Sequence, residues 1–305
     1  MKQRLSVKRL HKSRLSRGLM LFLRLLLLVD ISLTILMTLL TLLSTSVKDI
    51  YGLVDPMVKW IPRDFHWSNY SFAYEILGGT KTMLFSILLY LGVTAGQVIS
   101  SMVIAYGFSR YKFPGRSIVF GLMIATFFIP QQVLMLPRYV LFSRNGLLGT
   151  VWTLILPSLT GQAMKQTILI LVFWQFMKGI PISLEEAAMI DGASLPGIFV
   201  RIGVPLAAPG IVINSMLAFC WSWNDVYFSA TYFKDKIRTT TIALSTMKEY
   251  LATQAGYYVR ADSRQFHQGT EAAAAIIVIL PLLILYLILE KRLIEGVDRA
   301  GITGE

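Results

Sequence analysis

The sequence is poor in the residues on which disulfide scaffolds and metal sites depend. Its 305 residues include one cysteine, so no internal disulfide can form. The three histidines, His11, His66 and His267, are far apart in the sequence and lie beside no cysteine or carboxylate cluster at ligand spacing. We therefore expect neither a metal site nor a cofactor in this chain.

Enzyme signatures are missing as well. No Gly-Lys dipeptide occurs, which excludes a phosphate-binding loop of the Gly-x-x-x-x-Gly-Lys type. The chain has no Gly-x-Ser-x-Gly elbow and no His-Glu-x-x-His motif. We therefore expect a protein that is not itself an enzyme and that needs a partner ATPase for any ATP-driven process. A polytopic membrane enzyme is the alternative, but it would need polar catalytic groups gathered at one depth, and the candidates are scattered.

Charged residues are few, and apolar residues are abundant. Charged residues make up 15% of the chain and hydrophobic residues 55%, which leaves too little polar surface for a soluble protein of this length. Several apolar stretches of about 20 residues are long enough to cross a bilayer. They lie at residues 25–44, 83–108, 118–136, 151–176, 210–227 and 272–289. This pattern predicts an all-α polytopic membrane protein with about six transmembrane helices.

Positive charge predicts the orientation of these helices. The net charge of +12 is also typical of nucleic-acid-binding proteins, but the apolar stretches exclude a nucleic-acid partner. Residues 1–20 are basic without one acidic residue, and the short turn at residues 110–116 is basic too. Because lysine and arginine are retained on the cytoplasmic side, we expect both termini to be cytoplasmic.

The most informative segment is residues 183–194, a short polar helix between two apolar stretches. Ser183 is predicted to cap its start, with Glu186 reaching back to the N–H of the cap. Glu185 and Glu186 lie in the first turn, where the helix dipole favours carboxylates. Gly192 is predicted to end the helix, because glycine adopts a positive φ at no steric cost.

This short helix is expected to need a partner. A helix of about eight residues is not stable by itself in water, so something must dock on it. Leu184, Ala187 and Ala188 share one face, and two of the three are small enough for close approach by another protein. The alternative is an amphipathic connector that merely links two membrane spans.

Together with the residues that follow it, the segment resembles the E-A-A loop of ABC importer permeases. The family pattern E-A-A-x-x-D-G-A, then phenylalanine, then L-P-L-x-x-P, matches Glu186-Ala187-Ala188, Asp191-Gly192-Ala193, Phe199, Pro205 and Pro209, with Val204 in place of the first leucine. The resemblance implies that this loop docks a cytoplasmic ATPase. The docking residues that we expect are Glu185, Glu186, Ala187, Ala188, Asp191, Gly192 and Ala193.

Other motifs resemble the carbohydrate importers of this family. Trp60-Ile61-Pro62, followed by Trp67-Ser68-Asn69-Tyr70, is similar to their external W-x-P … N-Y signature. Residues 105–116 are similar to their A-Y-A-F-A-R-x-x-F-x-G-R turn. With about six spans, the chain resembles the shorter permease subunit of the maltose type.

The resemblance implies an assembly as well as a fold. It implies a type I ABC importer permease fold, multi-pass in the bacterial cytoplasmic membrane and in contact with membrane lipid. It also implies a heterodimer with a second permease subunit, a cytoplasmic ATPase dimer that binds ATP, and an extracellular or periplasmic solute-binding protein. The substrate implied is an oligosaccharide; a permease for another small solute is the alternative.

On this interpretation the chain has four parts. Residues 1–20 are a basic cytoplasmic tail, and residues 21–80 are the first transmembrane helix with an external loop. Residues 81–290 are the permease core, which includes the cytoplasmic coupling loop at 178–208. Residues 291–305 are a cytoplasmic C-terminal tail.

The predicted substrate pathway involves Lys165, Trp221, Asn224, Asp225 and Tyr227. Lys165 interrupts or borders an apolar stretch, where a charge generally faces a cavity or a protein partner. The alternative for Lys165 is a place in the outer headgroups. The polar and aromatic residues from Trp221 match a W-N-[DE] pattern of the family, and the alternative for them is an aromatic interface belt.

We expect a neutral oligosaccharide as the cargo. Aromatic planes pack against the C–H faces of sugars, while amides bond their hydroxyls. On a helix Trp223 and Tyr227 share one face and Trp221 and Asn224 share another, of which we favour the second for the pathway. An anionic cargo would require converging basic groups. Acidic sugars are therefore the alternative if Lys165 faces inward.

Overall fold

The computed structural model describes residues 2–55, 57, 60–253 and 267–302, with side chains in 20–55, 57, 60–250 and 267–293. These residues form helices and loops and no strand. The first helices are α1 (Lys2–Ser46), α2 (Ile50–Val54), α3 (Ser68–Ile76), α4 (Gly79–Arg110), α5 (Arg116–Phe127) and α6 (Gln131–Arg144). Then come α7 (Trp152–Leu159), α8 (Gln166–Gly179), α9 (Ile182–Ile190) and α10 (Leu195–Ile198). A π-helical turn (Phe199–Gly203) leads to α11 (Val204–Leu206), α12 (Ala208–Asn224), α13 (Tyr227–Phe233), α14 (Thr240–Ser245), α15 (Met247–Thr253) and α16 (Gln268–Ile302).

Long apolar helices confirm the predicted membrane fold. Met20–Ser46, Gly79–Arg110 and Gln268–Leu293 are each long and apolar enough to cross a bilayer. Three bent helix pairs also pass this test, which gives up to six spans in the described part of the chain. The pairs are α5 with α6 (100°), α8 with α9 (69°), and Leu195–Leu206 with α12 (76°).

Two predicted stretches are wrong as single straight spans. The stretch 118–136 bends at Pro130, which has no N–H to continue a helix, and the chain goes on as α6. The stretch 151–176 is broken between α7 and α8, where Gly161 (φ +77°) and Lys165 (φ +57°) are left-handed.

The chain divides into two compact units. The first comprises residues 1–73 and 258–277, and the second comprises residues 74–257 and 278–305. In the first unit Asn69 is buried, and its Nδ2 donates to the carbonyls of Ser46 and Lys48, both at 2.9 Å. Tyr70 Oη lies 2.8 Å from Ser46 Oγ. The Asn-Tyr pair therefore closes the C-terminal end of α1, where backbone carbonyls lack helical partners.

In the second unit α4 is the central helix, and it packs on α7, α8 and α12. Its buried face is rich in small and polar residues, which allow close helix approach in membranes. A Cβ at Gly96 would collide with Ser158 Oγ on α7, so this contact requires glycine. Gln166, at the start of α8, donates from Nε2 to Ser100 Oγ (2.6 Å) and Ser101 Oγ (3.2 Å) on α4. The beginning of α8 is thereby fixed against α4.

Candidate functional site

The first candidate site is the short helix α9 and the turn that follows it. Gly192 has φ +81°, which confirms the predicted end of the helix. The N–H of Gly192 donates to the carbonyl of Met189 (3.0 Å), and the N–H of Ala193 donates to that of Ala188 (2.9 Å). These two bonds form a Schellman motif, which fixes the direction of the chain after α9.

The start of α9 differs from the prediction. Pro181 occupies the cap position and no side chain bonds the free N–H groups, so the predicted Ser183 cap is wrong. The backbone of Pro181 is not helical (ψ +130°), and the first helical residue is Ile182. Ser183 then lies inside the first turn and is exposed.

Glu185 is the residue that attaches α9 to the rest of the unit. It is 3% exposed, and its Oε1 accepts from Arg110 Nε at 2.7 Å. Its Oε2 accepts from the hydroxyl of Tyr106 at 3.0 Å. Arg110 also donates from Nη2 to the carbonyl of Ile180 at 3.0 Å. Both the carboxylate and the chain entering α9 are therefore held by the end of α4.

An aromatic contact completes this attachment. The ring of Phe199 lies 4.9 Å, centroid to centroid, from that of Tyr106. Tyr106, Met177 and Ile180 also belong to one buried apolar cluster with residues of α8. The sequence placed these residues in family motifs but did not predict their contacts, because the partners are distant in the chain.

The other predicted docking residues remain at the surface of the chain. Glu186, Ala187, Asp191, Gly192 and Ala193 are exposed, and Ala188 is half-buried. Apolar side chains accompany them. Ile190 is 86% exposed, and Leu184 and Met189 are about half exposed, at 47% each. The result is an apolar surface with carboxylates at Glu186 and Asp191, carried on a fixed helix.

The second candidate site is a cleft at the bend between α5 and α6, beside the start of α8. Its volume is about 530 Å³. Arg138 from α6 and Lys165 from the turn before α8 both line it, together with polar side chains that include Gln131, Gln162 and Thr167. We call it the bend cleft.

Trp221 does not line the bend cleft, but it contacts Lys165, which does. Lys165 Nζ lies 4.9 Å from the centroid of the Trp221 ring, a cation–π arrangement. Arg138 was missed in the sequence because it lies just beyond the predicted stretch 118–136. A charged residue so close to an apolar stretch was the signal that could have identified it.

The remaining pathway candidates are spread over several environments. Asn224 is exposed and donates to the carbonyl of Cys220 on its own helix at 2.8 Å. Tyr227 is exposed and packs edge-on against Phe228. Asp225 lines a separate small cavity of about 50 Å³, which Arg138 also lines. Trp223 is fully buried, so it belongs to the core.

Two histidines approach each other in the first unit, although they are distant in the sequence. His66 Nε2 lies 4.0 Å from Asp49 Oδ2. Burial lowers the pKa of His267 and nearby His66 lowers it further, whereas the charge of Asp49 raises it. Among the described residues no group of three His, Cys, Asp or Glu side chains could hold a metal ion.

Known proteins with similar sequences are transport permeases. The trehalose transport system permease protein of Mycobacterium tuberculosis is 29% identical over 248 residues, which are 81% of this chain and 85% of that protein. The sulfoquinovosyl glycerol transport system permease protein of Agrobacterium fabrum is 27% identical over 263 residues, or 86% and 87% of the two chains. The probable ABC transporter permease protein of Pyrococcus horikoshii is 30% identical over 211 residues, which are 69% of this chain and 71% of that protein.

A solved structure has the same fold. It is a bacterial ABC transporter involved in the import of the acidic polysaccharide alginate. The TM-score is 0.71 at 20% identity, and the match covers 88% of this chain and 95% of that one. The chain is therefore a multi-pass protein of the cell membrane with an ABC importer permease fold. The family described as the binding-protein-dependent transport system inner membrane component matches residues 97–299, and this chain belongs to it.

Proposed function

We propose that this chain is the permease subunit of an ATP-driven importer of oligosaccharides, and that α9 with its following turn docks the ATPase. The attachment of Glu185 to Arg110 is the observation that carries the proposal. A helix as short as α9 has little stability of its own, yet here a buried ion pair and a hydroxyl hold it in one orientation. A partner that moves this helix must move α4 with it.

The surface of α9 suits a protein partner. Ile190, Leu184 and Met189 present apolar area that a monomer would ordinarily bury. Ala187 lets a partner approach the helix closely, while Glu186 and Asp191 offer charges for a basic counterpart. Small, apolar and acidic groups on one rigid element are what a docking site requires.

The same unit connects α9 to the bend cleft. α8 has 14 residues, or about 21 Å of helix, and it runs from the turn containing Lys165 to the chain that enters α9. Its start is bonded to α4 through Gln166, and its end is held to α4 through Ile180 and Arg110. Displacement of α9 by ATPase closure would thus be transmitted along α4 and α8, and would open or close the pathway by rigid-body movement.

The cargo and the other partners follow from the relatives. Their names give trehalose, galactooligosaccharides and arabinooligosaccharides as transported compounds, and the solved neighbour imports an acidic polysaccharide. We infer a saccharide cargo for this chain. A second permease, an ATPase dimer and an external solute-binding protein would complete the transporter. The exposed apolar side chains of Met20–Ser46 leave that helix free to contact lipid or the second permease.

The docking proposal is tested by reversing one exposed charge. In Glu186→Lys we expect normal insertion into the membrane but at least about a tenfold loss of ATPase co-purification and of uptake, because one interfacial charge contact becomes repulsive. Ala187→Trp should have the same result through steric exclusion. Glu249→Lys is the matched control, since Glu249 is an exposed glutamate on α15. Normal ATPase association in both α9 variants would refute the docking site.

A further inference from the structure

The bend cleft has an unusual balance of charge. Two cationic side chains line it, Arg138 and Lys165, and no aspartate or glutamate does. Within the described residues neither cation forms an ion pair, since the ion pairs there involve Arg63, His66 and Arg110. Cations near apolar membrane segments are ordinarily paired or face a water-filled pathway. Here both residues line one open cleft.

Both side chains keep hydrogen-bonding capacity for a ligand. Arg138 donates from Nη2 to the carbonyl of Gln162 at 2.8 Å, which fixes the guanidinium but uses only part of its N–H groups. Lys165 is held over the ring of Trp221 at 4.9 Å, a contact that orients the ammonium without neutralising it. The cleft is therefore lined by two residues that carry unneutralised positive charges.

Asp225 is a candidate for a neutralising carboxylate, but its hydrogen bonds go to other groups. It shares the small 50 Å³ cavity with Arg138 but makes no ion pair with it. Asp225 Oδ1 accepts from the N–H of Phe228 at 3.2 Å, and Oδ2 accepts from Ser229 Oγ at 3.4 Å. The carboxylate thus caps the start of α13, and Arg138 is left for a solute.

We propose that the bend cleft recognises an anionic group, a carboxylate or a sulfonate, on the saccharide cargo. Arg138 and Lys165 bind the anion, since guanidinium and ammonium groups form strong charge-assisted bonds with it. Gln131, Gln162 and Thr167 stand beside them in the lining, where they can bond sugar hydroxyls. The inference rests on the proposed function and replaces the expected neutral cargo with the acidic alternative.

The test measures binding of uronate trisaccharides to the purified complex of both permeases and the ATPase, without the solute-binding protein. The comparison probes are the same trisaccharides with each carboxylate reduced to an alcohol. We expect the uronates to bind and Lys165→Gln to weaken them about tenfold, the loss of one charge-assisted contact, with no effect on the reduced probes. Lys178→Gln is the matched control, because Lys178 lies on α8 over the Trp174 ring at 4.4 Å but outside the cleft lining.

A second pair of variants distinguishes the loss of a charge from misfolding. Arg138→Gln should also weaken uronate binding about tenfold, whereas Arg138→Lys, which keeps the charge, should recover most of it. Equal binding of charged and reduced probes, or uronate binding that no variant changes, would overturn the inference. ATP-driven uptake that shows no preference for charge would overturn it while leaving the proposed function in place. Charge-selective binding without ATP-driven uptake would refute the proposed function instead.

Discussion

Lys165 lies at the start of α8, and Arg110, the last residue of α4, bonds the chain at the other end of α8. The surroundings of these two cations differ. The side chain of Arg110 is buried, and it bonds Glu185 and the carbonyl of Ile180. Lys165 is exposed, and its ammonium lies over the face of Trp221 and forms no ion pair among the described residues. A cation with a fixed internal partner maintains geometry, while a cation without one is available to a ligand. On the proposed function, the end of α8 near α9 would transmit movement from the ATPase, and the other end would bind the cargo.

The largest effect is expected from breaking the pair at Arg110. Glu185→Ala leaves a buried guanidinium without its carboxylate, which costs about 3–5 kcal/mol. Because the pair attaches α9, we expect faster hydrogen exchange in α9 and loss of ATPase association. Replacing both partners with methionine should recover part of the stability, since no unpaired charge then remains. Glu185→Ala with unchanged exchange would show that α9 is held by other contacts.

A smaller effect is expected at the end of α9. Gly192 has φ +81°, and a Cβ there would meet nothing within 4 Å, so only backbone strain opposes substitution. Gly192→Ala should cost about 1 kcal/mol and Gly192→Val more, with uptake falling in the same order. Gly179→Ala is the control, because a Cβ at Gly179 also meets nothing and its φ is not positive. Full uptake by Gly192→Val would argue against a fixed turn.

The smallest effect on stability is expected at Lys165. Lys165→Met removes an exposed cation–π contact, worth about 0.5–1 kcal/mol, and leaves no buried partner unpaired. Thermal unfolding of the purified complex should change little, in contrast to Glu185→Ala. A loss as large as that of Glu185→Ala would mean that Lys165 is structural. That result would remove the contrast between the two ends of α8.

The sequence predicted local features well and distant pairings poorly. The turn at Gly192 depends on one residue and its neighbours, so it could be predicted. The cap at Ser183 could not, because Pro181 sets the start of α9 two residues earlier. The Arg110–Glu185 pair joins residues far apart in the chain, and the sequence used Arg110 for the prediction of orientation and for a family motif but not for this contact. Local periodicity contains no information about such contacts.

The same reason applies to the bend cleft. Lys165 could be identified as a charge near an apolar stretch. The position of its side chain, however, depends on the break before α8 and on the contact with Trp221. Arg138 enters the cleft because α6 turns back by 100° at Pro130. A prediction that treats 118–136 as one straight span cannot bring these two cations together.

The most direct test of the central claim is cross-linking between α9 and the ATPase. In a variant with Cys220→Ser, a single cysteine in place of Ala187 would be treated with a short bifunctional thiol reagent in the assembled complex. We predict a cross-link to the ATPase that changes in yield when ATP is bound, and none from Asn145→Cys, an exposed position after α6. A cross-link from the Asn145 position, with none from Ala187, would contradict the account.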